Sequence, residues 1–474
     1  MKIFITCLFI QLFFITGLSH AEFNDSGVAL IEDLSANSYV QYFTEDIHGN
    51  YLVSYGSKIS GDDFIGVIKF NSEGELDTSF GLSGFSGVSD HCGDDMAELG
   101  HILMTNNGTR PLVMGFGPYF LPGYRHQVFL AQFLENGLIN NLANTTSHAF
   151  AAFPENCSSG GINGGVAKVD AYQEMSDTNE NLVDANFMLD ADGNILVFGM
   201  SKVYGYRGLY RESYILTISK LDGTLGAADT SFGADGTGHV ELQVRTWTYP
   251  SSIALQSDGK ILVGGSAINR SGGYYYFIAR LTAEGILDES FGELNPDGSR
   301  TGIIEKSSGG SSNDIISHLF PSSGSDGSLY AFGVHDGVGK FTLFKFKENG
   351  SVDHSFGVNG MVHYDDFSME YSGRSFKSIN NHIVKHPATD SFYIINEADD
   401  DVVVTKIDSD GSIDSLFGEG LGKVVVDISG DEKEDEVDDA LINKDGYLVI
   451  LGEVEDAHYL LRLNLTTGAV VSSE

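Results

Sequence analysis

Basic residues are scarce in this sequence, and their scarcity argues against two classes of partner. The chain has 27 Lys and Arg residues against 66 Asp and Glu residues, a formal net charge of −39 at pH 7. Nucleic acids and anionic membrane surfaces are bound through a basic footprint, so neither is an expected partner. Such acidity suits a solvated extracellular protein that meets divalent cations, although solubility alone is the simpler interpretation.

Proline and helical periodicity are also lacking. The 474 residues include 8 prolines but 58 glycines, and no long segment repeats apolar residues with the period of a helix. Aromatic and β-branched residues are plentiful. Together these features indicate an all-β chain with many turns.

A long apolar run occurs only at the beginning of the sequence. Residues 3–15 are mostly apolar, Lys2 precedes them, and Ser19-His20-Ala21 supplies small residues for a signal peptidase. We therefore predict a signal peptide over residues 1–21 and a secreted or periplasmic mature chain without membrane insertion; an uncleaved anchor is the alternative. Residues 22–474 are predicted to form a single domain.

Cysteine is nearly absent from the predicted mature chain, which keeps Cys92 and Cys157. An even pair in an oxidising compartment predicts one disulfide bond between them. Two free thiols are the alternative.

What the sequence does contain is a degenerate repeat of about sixty residues. A turn glycine after an apolar strand recurs at steps of 63, 86, 62, 65, 61 and 57 residues. These glycines are Gly74, Gly137, Gly223, Gly285, Gly350, Gly411 and Gly468. Seven occurrences predict seven units, and the long step predicts an insertion in the second unit, near residues 140–183.

A second signature follows the glycine at a fixed distance in four units. Asp comes three residues later and Phe-Gly six residues later. The residues are Asp77, Asp288, Asp353 and Asp414 with Phe80, Phe291, Phe356 and Phe417. The third unit has the same motif shifted by three residues, and the second unit lacks the Phe. The glycine permits a positive φ, the Asp can accept backbone N–H groups, and the Phe can pack between sheets, so we interpret all three as framework.

These motifs resemble a known repeat family. Leu76-Asp77-Thr78-Ser79-Phe80-Gly81 and the segment from Ser257 to Val263 are similar to the delta-60 repeat propellers of bacteria. The resemblance covers nearly all of the predicted mature chain and implies a β-propeller. It implies no activity, because a fold of this kind hosts many functions.

The seventh unit stops before its Phe-Gly and its fourth strand. The mature N-terminus offers Phe23 for the missing ring and residues 28–31 for the missing strand. We therefore predict an all-β, seven-bladed β-propeller closed by the N-terminal strand, with residues 28–31 paired to the strand near residues 459–463. Closure of this kind removes two exposed sheet edges.

The long and irregular loops all fall on one predicted face, made by connections from second to third strands and from fourth strands to the next unit. We call it the loop-rich face and expect ligands there. Aromatic residues beside arginine suit flat or anionic ligands, including sugars. The candidate ligand-binding residues are Tyr124, Arg125, Tyr206, Arg207, Tyr210, Arg211 and Trp247. Loop packing and ordinary surface are the alternative interpretation.

Acidic residues dominate the same face in the last three units. They are Asp365, Asp366, residues 399–401 and residues 431–436. Clustered carboxylates are calcium ligands, so calcium is the one cofactor the sequence raises, and a solvated charge run is the alternative. Asp408-Ser409-Asp410-Gly411 is similar to part of a calcium loop but coincides with the repeat turn.

No HExxH, Gly-x-Ser-x-Gly or P-loop motif occurs, and His126, His335 and His382 are scattered without obvious partners. The leading hypothesis is an exported binding or interaction module for glycans or cell-surface partners. The alternatives are an exported hydrolase or lyase with a site at the channel mouth, and a structural matrix protein.

Overall fold

The described residues of this computed structural model form β-strands joined by turns. They are residues 23, 28–31, 38–59, 62–89, 98–119, 125–138, 166–169, 181–204, 212–223, 228–234, 236–307, 314–334, 340–365, 367, 381–430, 434–455 and 457–472. None of them lies in an α-helix. Accordingly, within these ranges no helix is long and apolar enough to cross a membrane.

Strand β1 (Val28–Ile31) precedes six groups of four antiparallel strands and a final group of three. The first group contains β2 (Ser38–Glu45), β3 (Tyr51–Ile59), β4 (Asp62–Phe70) and β5 (Phe85–Ser89). The second contains β6 (Glu98–Thr105), β7 (Arg110–Tyr119), β8 (Arg125–Gln132) and β9 (Val166–Val169). The third contains β10 (Asn181–Leu189), β11 (Ile195–Tyr204), β12 (Glu212–Leu221) and β13 (His239–Leu242).

The later groups repeat the arrangement. The fourth contains β14 (Trp247–Leu255), β15 (Ile261–Ile268), β16 (Tyr274–Leu281) and β17 (Ile303–Lys306). The fifth contains β18 (Ile315–Pro321), β19 (Leu329–Val334), β20 (Phe341–Phe346) and β21 (Met361–Tyr364). The sixth contains β22 (Asn381–Lys385), β23 (Phe392–Ala398), β24 (Asp401–Ile407) and β25 (Lys423–Val426), and the seventh contains β26 (Asp435–Ile442), β27 (Tyr447–Val454) and β28 (Ala457–Asn464).

Each group pairs its strands in chain order, and β1 completes the seventh group as its fourth strand. A single parallel pair, Tyr214 with Trp247, joins the third and fourth groups into one eight-stranded sheet. The second group has four strands although its sequence is degenerate. Its fourth strand, β9, lies inside the predicted insertion.

The apolar core lies between the groups. Seven buried clusters each combine residues from two groups that follow one another in the chain, or from the last and the first. One cluster, for example, brings Val449 and Leu460 of the seventh group against Val53 of the first. Face-to-face packing of small twisted sheets is the arrangement of propellers, so the fold is all-β and propeller-like.

The repeated phenylalanines pack in these interfaces, as predicted, and the turn glycines contact them there. A Cβ built on Gly350 would lie 2.9 Å from the Phe291 ring of the preceding group, so only glycine fits. The same contact joins Gly137 to Phe80, Gly285 to Phe232, Gly411 to Phe356 and Gly468 to Phe417. All of these glycines have φ between 74° and 85°.

Gly223 departs from this pattern. Its φ is outside the left-handed region, and a Cβ there would meet the backbone oxygen of Gly193 in its own group. The motif of the third unit is shifted by three residues, so the glycine three residues before its Asp229 and six before its Phe232 is Gly226, which lies outside the described residues. The sequence repeat therefore marks a turn at Gly223 but not the same contact.

The repeated Asp has the predicted role and a second one. The carboxylates of Asp288 and Asp414 each accept the backbone N–H two residues later. Each also pairs with a basic residue eight positions earlier, Arg280 with Asp288 at 2.8 Å and Lys406 with Asp414 at 2.8 Å. The Arg280 guanidinium also lies 4.6 Å from the Phe291 ring centre. A basic residue eight positions before the Asp is thus also part of the framework. The sequence analysis did not identify this residue.

The N-terminal segment takes the predicted position. Val28 pairs with Leu461 and Ile31 with His458, so the predicted pairing of residues 28–31 is confirmed. Phe23 is fully buried, and its N–H donates to Glu73 O at 3.0 Å. Its ring lies close to Gly74, as the other phenylalanines lie against their glycines.

Candidate functional site

The two faces of the sheet array differ in how their turns are used. On the face opposite the loop-rich face, turn carboxylates are bound to their own backbone: Asp46 Oδ1 accepts the N–H groups of His48 and Asn50, and Asp190 Oδ1 those of Asp192 and Asn194. Asp410 Oδ1 accepts the N–H of Ser412 in the same way, so the calcium-like fragment at residues 408–411 is framework, as interpreted. These turns keep the strands in register.

A cavity of about 560 Å³ also lies on that opposite face. Its lining includes Lys69, Asp77 and Phe80. Lys69 Nζ lies 3.3 Å from Asp46 and 3.7 Å from Asp77, so it holds the framework position of Arg280 in the fourth group. Lys69 and Asp77, two of the charged residues that line the cavity, thus already have ion-pair partners.

The predicted ligand-binding residues are only partly described. Tyr124, Tyr206, Arg207, Tyr210 and Arg211 lie outside the described residues, as do Cys92, Cys157, the signal peptide and most of the insertion. Arg125 is the first residue of β8. Trp247 is half-buried and is the first residue of β14, so it belongs to a strand rather than to a loop.

Around Trp247 the structure brings together side chains from the third and fourth groups. The connection between β13 and β14 carries Arg245, whose guanidinium lies 4.1 Å from the Tyr275 ring centre. Arg245 Nε also donates to the Glu305 carboxylate, and this bond raises the pKa of Arg245. The sequence analysis named Trp247 but missed Arg245, Tyr275 and Glu305, because the chain order does not show that the β13–β14 connection lies against β16 and β17.

Two tyrosines extend this cluster. Tyr214 at the start of β12 and Tyr249 in β14 have ring centres 5.5 Å apart, and Tyr214 is the backbone partner of Trp247. The strand register places all of these residues at the same end of the third and fourth groups, with Trp247 opposite Ile268 and Ile268 opposite Tyr274. We call Tyr214, Arg245, Trp247, Tyr249 and Tyr275, which share this end, the aromatic patch. Rings with polar tips beside a guanidinium can stack on a sugar face and donate hydrogen bonds to its hydroxyl or acidic groups.

A second cluster lies where the sixth group meets the seventh. Asp401 begins β24, Asp427 follows β25, and Asp435 begins β26; one carboxylate oxygen from each lies within 4.8 Å of the other two. Asp401 and Asp435 belong to acidic runs that the sequence analysis identified. The sequence analysis missed Asp427, because it stands alone after an apolar strand. The fold of the connection from β25 to β26 places it close to Asp401 and Asp435.

The other predicted acids that the structure describes do not join this cluster. Asp365 is exposed and forms an ion pair with Lys340 at 2.7 Å. Asp399 and Asp400 are exposed in the two-residue hairpin between β23 and β24, with φ of 55° and 71°. Positive φ angles at both central residues are the geometry of a two-residue hairpin turn, and Asp is tolerated at such positions. Asp366 and residues 431–433 lie outside the described residues.

The first strand of the seventh group carries further carboxyl groups that the sequence analysis did not single out. Asp439 Oδ2 accepts the N–H of Phe43 at 3.1 Å and so ties β26 to β2, and burial raises its pKa to about 7. Burial, followed by the charges of Glu453 and Asp439, raises the pKa of Asp438 to about 8. Asp438 Oδ2 is buried without a hydrogen-bond partner. Carboxyl groups that remain protonated near neutral pH can act as general acids.

Of the three histidines noted in the sequence, His382 has a partner: its Nε2 lies 3.2 Å from Val437 O. His382 on β22 and His318 on β18 occupy the first strands of neighbouring groups. Burial lowers the pKa of each to about 4, so both are neutral at physiological pH. They contribute to the contacts between groups.

Comparison with known proteins supports a β-propeller family. Residues 256–291 match the model of a domain of unknown function described as a beta-propeller, DUF5122. This stretch contains the turn at residues 257–260, the turn glycine Gly285 and Phe291 of the fourth unit. No curated protein sequence matches the chain significantly.

Solved structures resemble the chain at low identity. A glucose dehydrogenase aligns at 10% identity and a TM-score of 0.39, over 94% of this chain and 99% of its own. The polysaccharide lyase Uly1 aligns at 10% identity and 0.42, over 91% of each chain. Prolyl oligopeptidase B from Galerina marginata aligns at 9% identity and 0.40, over 90% of this chain and 47% of its own. At this level of similarity the alignments carry no information on activity.

Proposed function

We propose that the protein is an exported, seven-bladed propeller of the delta-60 repeat type that binds extracellular glycans or a cell-surface partner through its loop-rich face. The blade count is supported by the seven antiparallel groups and by the core cluster that joins the last group to the first. Export is inferred from the predicted signal peptide alone.

The aromatic patch is the observation that carries the binding proposal. Trp247, Tyr249 and Tyr275 are each half-buried, so each keeps part of its ring at the surface. Arg245 is held in place by Tyr275 and Glu305, which makes it a preorganised part of the patch. Rigid aromatic surface loses little conformational entropy when a ligand binds.

A glycan array followed by calorimetry on the best ligand tests this proposal. We expect binding without turnover, and we expect Trp247→Ala to weaken it by about 2 kcal/mol, roughly 30-fold, as for an aromatic hot spot. The triple replacement of Tyr206, Arg207 and Trp247 by Ala should abolish binding and leave the fold intact. Leu416→Ala, which removes an exposed apolar side chain from the opposite face, is the matched control.

The expected result for the control is unchanged affinity. If the triple variant binds the ligand as tightly as the parent protein does, the aromatic half of the loop-rich face is not the binding site. If no glycan or surface extract binds at all, the proposal is wrong.

The raised pKa of Asp438 favours a second candidate, an exported hydrolase or lyase in which this carboxyl is the general acid. Incubation with polysaccharides and esters, followed by detection of new reducing ends or acid, would reveal turnover. Asp438→Asn should then abolish turnover while Asp365→Asn should not. Turnover that survives Asp438→Asn would rule out this assignment.

A further inference from the structure

Asp435 is a buried carboxylate with an unused oxygen. The side chain has no exposed surface. Its Oδ2 accepts the N–H of Ile428 at 2.7 Å, whereas its Oδ1 is buried without any hydrogen-bond partner. An unpaired buried oxygen on a charged group costs several kcal/mol unless something supplies positive charge.

The groups facing Asp435 are themselves acids. Carboxylate oxygens of Asp401 and Asp427 approach that of Asp435 to within 4.8 Å. Besides burial, the charges of Asp427 and Asp401 raise the pKa of Asp435. Among the described residues, no lysine, arginine or histidine forms an ion pair with any of the three. The arrangement brings negative charge together without a counter-ion from these parts of the chain.

The backbone holds the three acids in place. Asp435 N–H donates to Asp400 O at 2.9 Å, which ties β26 to the hairpin that carries Asp401. Asp427 Oδ1 accepts the N–H of Gly430 at 2.6 Å, which shapes the connection that leads to Asp435. Each of these bonds leaves further lone pairs on the carboxylates, because one oxygen offers two.

We infer that Asp401, Asp427 and Asp435 form a calcium-binding site between the sixth and seventh groups on the loop-rich face. The donors are all carboxylate oxygens, the hard ligands that calcium prefers, with no histidine or cysteine to favour zinc. Oxygens bound to one Ca²⁺ at about 2.3–2.6 Å lie at most about 5 Å apart, so separations of no more than 4.8 Å are compatible with calcium. Mg²⁺ demands a near-ideal octahedron and usually keeps several waters, so a site of protein carboxylates suits it less well.

The bound ion would join three segments that otherwise repel one another: the β23–β24 hairpin, the end of β25 and the start of β26. It would therefore stabilise the connection between residues 427 and 435 and the interface between the two groups. The site is separate from the aromatic patch, which lies between the third and fourth groups. A failure of calcium binding and a failure of glycan binding can therefore be distinguished.

Calorimetric titration of the EDTA-treated full chain with CaCl₂ tests this inference. We expect a binding event that Asp427→Asn and Asp435→Asn each weaken at least tenfold, and a rise in the unfolding temperature of the parent protein on addition of calcium that both variants lose. MgCl₂ should bind more weakly than CaCl₂. The matched control is Asp399→Asn, which removes the same charge from an exposed position of the same hairpin and should bind calcium as the parent does.

One further measurement separates loss of the site from loss of the fold. In EDTA, Asp435→Asn should be at least as stable as the parent, because it removes a buried charge that has no counter-ion among the residues that the structure describes. Asp427→Asn provides the site test should Asp435→Asn fail to fold. Absence of calcium binding by the parent, or affinity retained in Asp427→Asn, would overturn the inference.

Discussion

The guanidinium of Arg462 lies 4.4 Å from the ring centre of Phe23, almost the full length of the chain away in sequence. In the fourth group the same relationship links Arg280 to Phe291, at 4.6 Å. Phe23 thus occupies in the seventh group the position that the repeat motif fills elsewhere. An arginine over an aromatic face adds electrostatic attraction to the burial of the ring.

We predict that Phe23→Ala destabilises the protein by about 3–5 kcal/mol, because it removes a fully buried ring and the partner of Arg462. Phe356→Ala, at a repeat position of the fifth group, should cost a similar amount. Urea unfolding followed by intrinsic fluorescence gives both values. A Phe23→Ala protein as stable as the parent would show that the N-terminal segment does not close the sheet array.

We predict that Gly350→Ala is more harmful than Gly446→Ala. Both glycines have φ near 80°, so both variants carry the cost of about 1–2 kcal/mol for an L-residue in that region. At Gly350 the new Cβ also meets Phe291, Ile304 and the backbone of Gly292, whereas at Gly446 nothing lies within 4 Å. Overpacking should add about 1–3 kcal/mol at Gly350, measurable by thermal unfolding. Equal losses would mean that the contact between groups adjusts freely.

Asp438 should make stability fall as the pH rises. Its pKa is raised from 3.8 to about 8 in the folded protein, so between these values the folded state binds more protons than the unfolded state. The contribution of Asp438 to the free energy of unfolding is fully present below pH 4 and is lost as the pH rises through 8. From pH 6 to pH 9, Asp438→Asn should therefore gain about 3 kcal/mol relative to the parent.

Denaturant unfolding at pH 6, 7.5 and 9 checks this prediction for Asp438. The groups facing it are Glu453, Asp439, Glu436 and Glu397, all acids, so no neighbouring cation reverses the sign. Asp365→Asn is the control: its carboxyl is paired with Lys340 and titrates below its usual range, so no change is expected between pH 6 and 9. A constant difference between Asp438→Asn and the parent over this range would contradict the prediction.

The disulfide remains a prediction from sequence, since Cys92 and Cys157 lie outside the described residues. A bond between them closes a loop of 65 residues (157 minus 92), which in the chain-entropy model stabilises the fold by about 4 kcal/mol. We expect no reactive thiol in the exported, unreduced protein, and a lower unfolding temperature after reduction or in Cys92→Ser. Detection of two free thiols would exclude the bond.

The repeat was predictable from sequence because its signals are local and periodic. A glycine such as Gly350 is required by its own φ, and Phe291 stands at a fixed distance after the preceding glycine. The pairing of Val28 with Leu461 was predictable as well, because the seventh unit lacks one strand and the N-terminus offers one. Gly223 was misjudged because the motif of its unit is shifted by three residues, which leaves Gly226 rather than Gly223 at the fixed distance before Asp229 and Phe232.

The candidate sites were predictable only in part. The sequence determined the all-β repeat framework, the side of the array on which the irregular loops lie, and the acidity of the later units, since each follows from composition and spacing. The tertiary structure alone decided that Asp427 approaches Asp401 and Asp435, and that Arg245 stacks on Tyr275. Those contacts join connections from different strands, and the packing of one sheet against the next, rather than the order of residues along the chain, determines which connections meet.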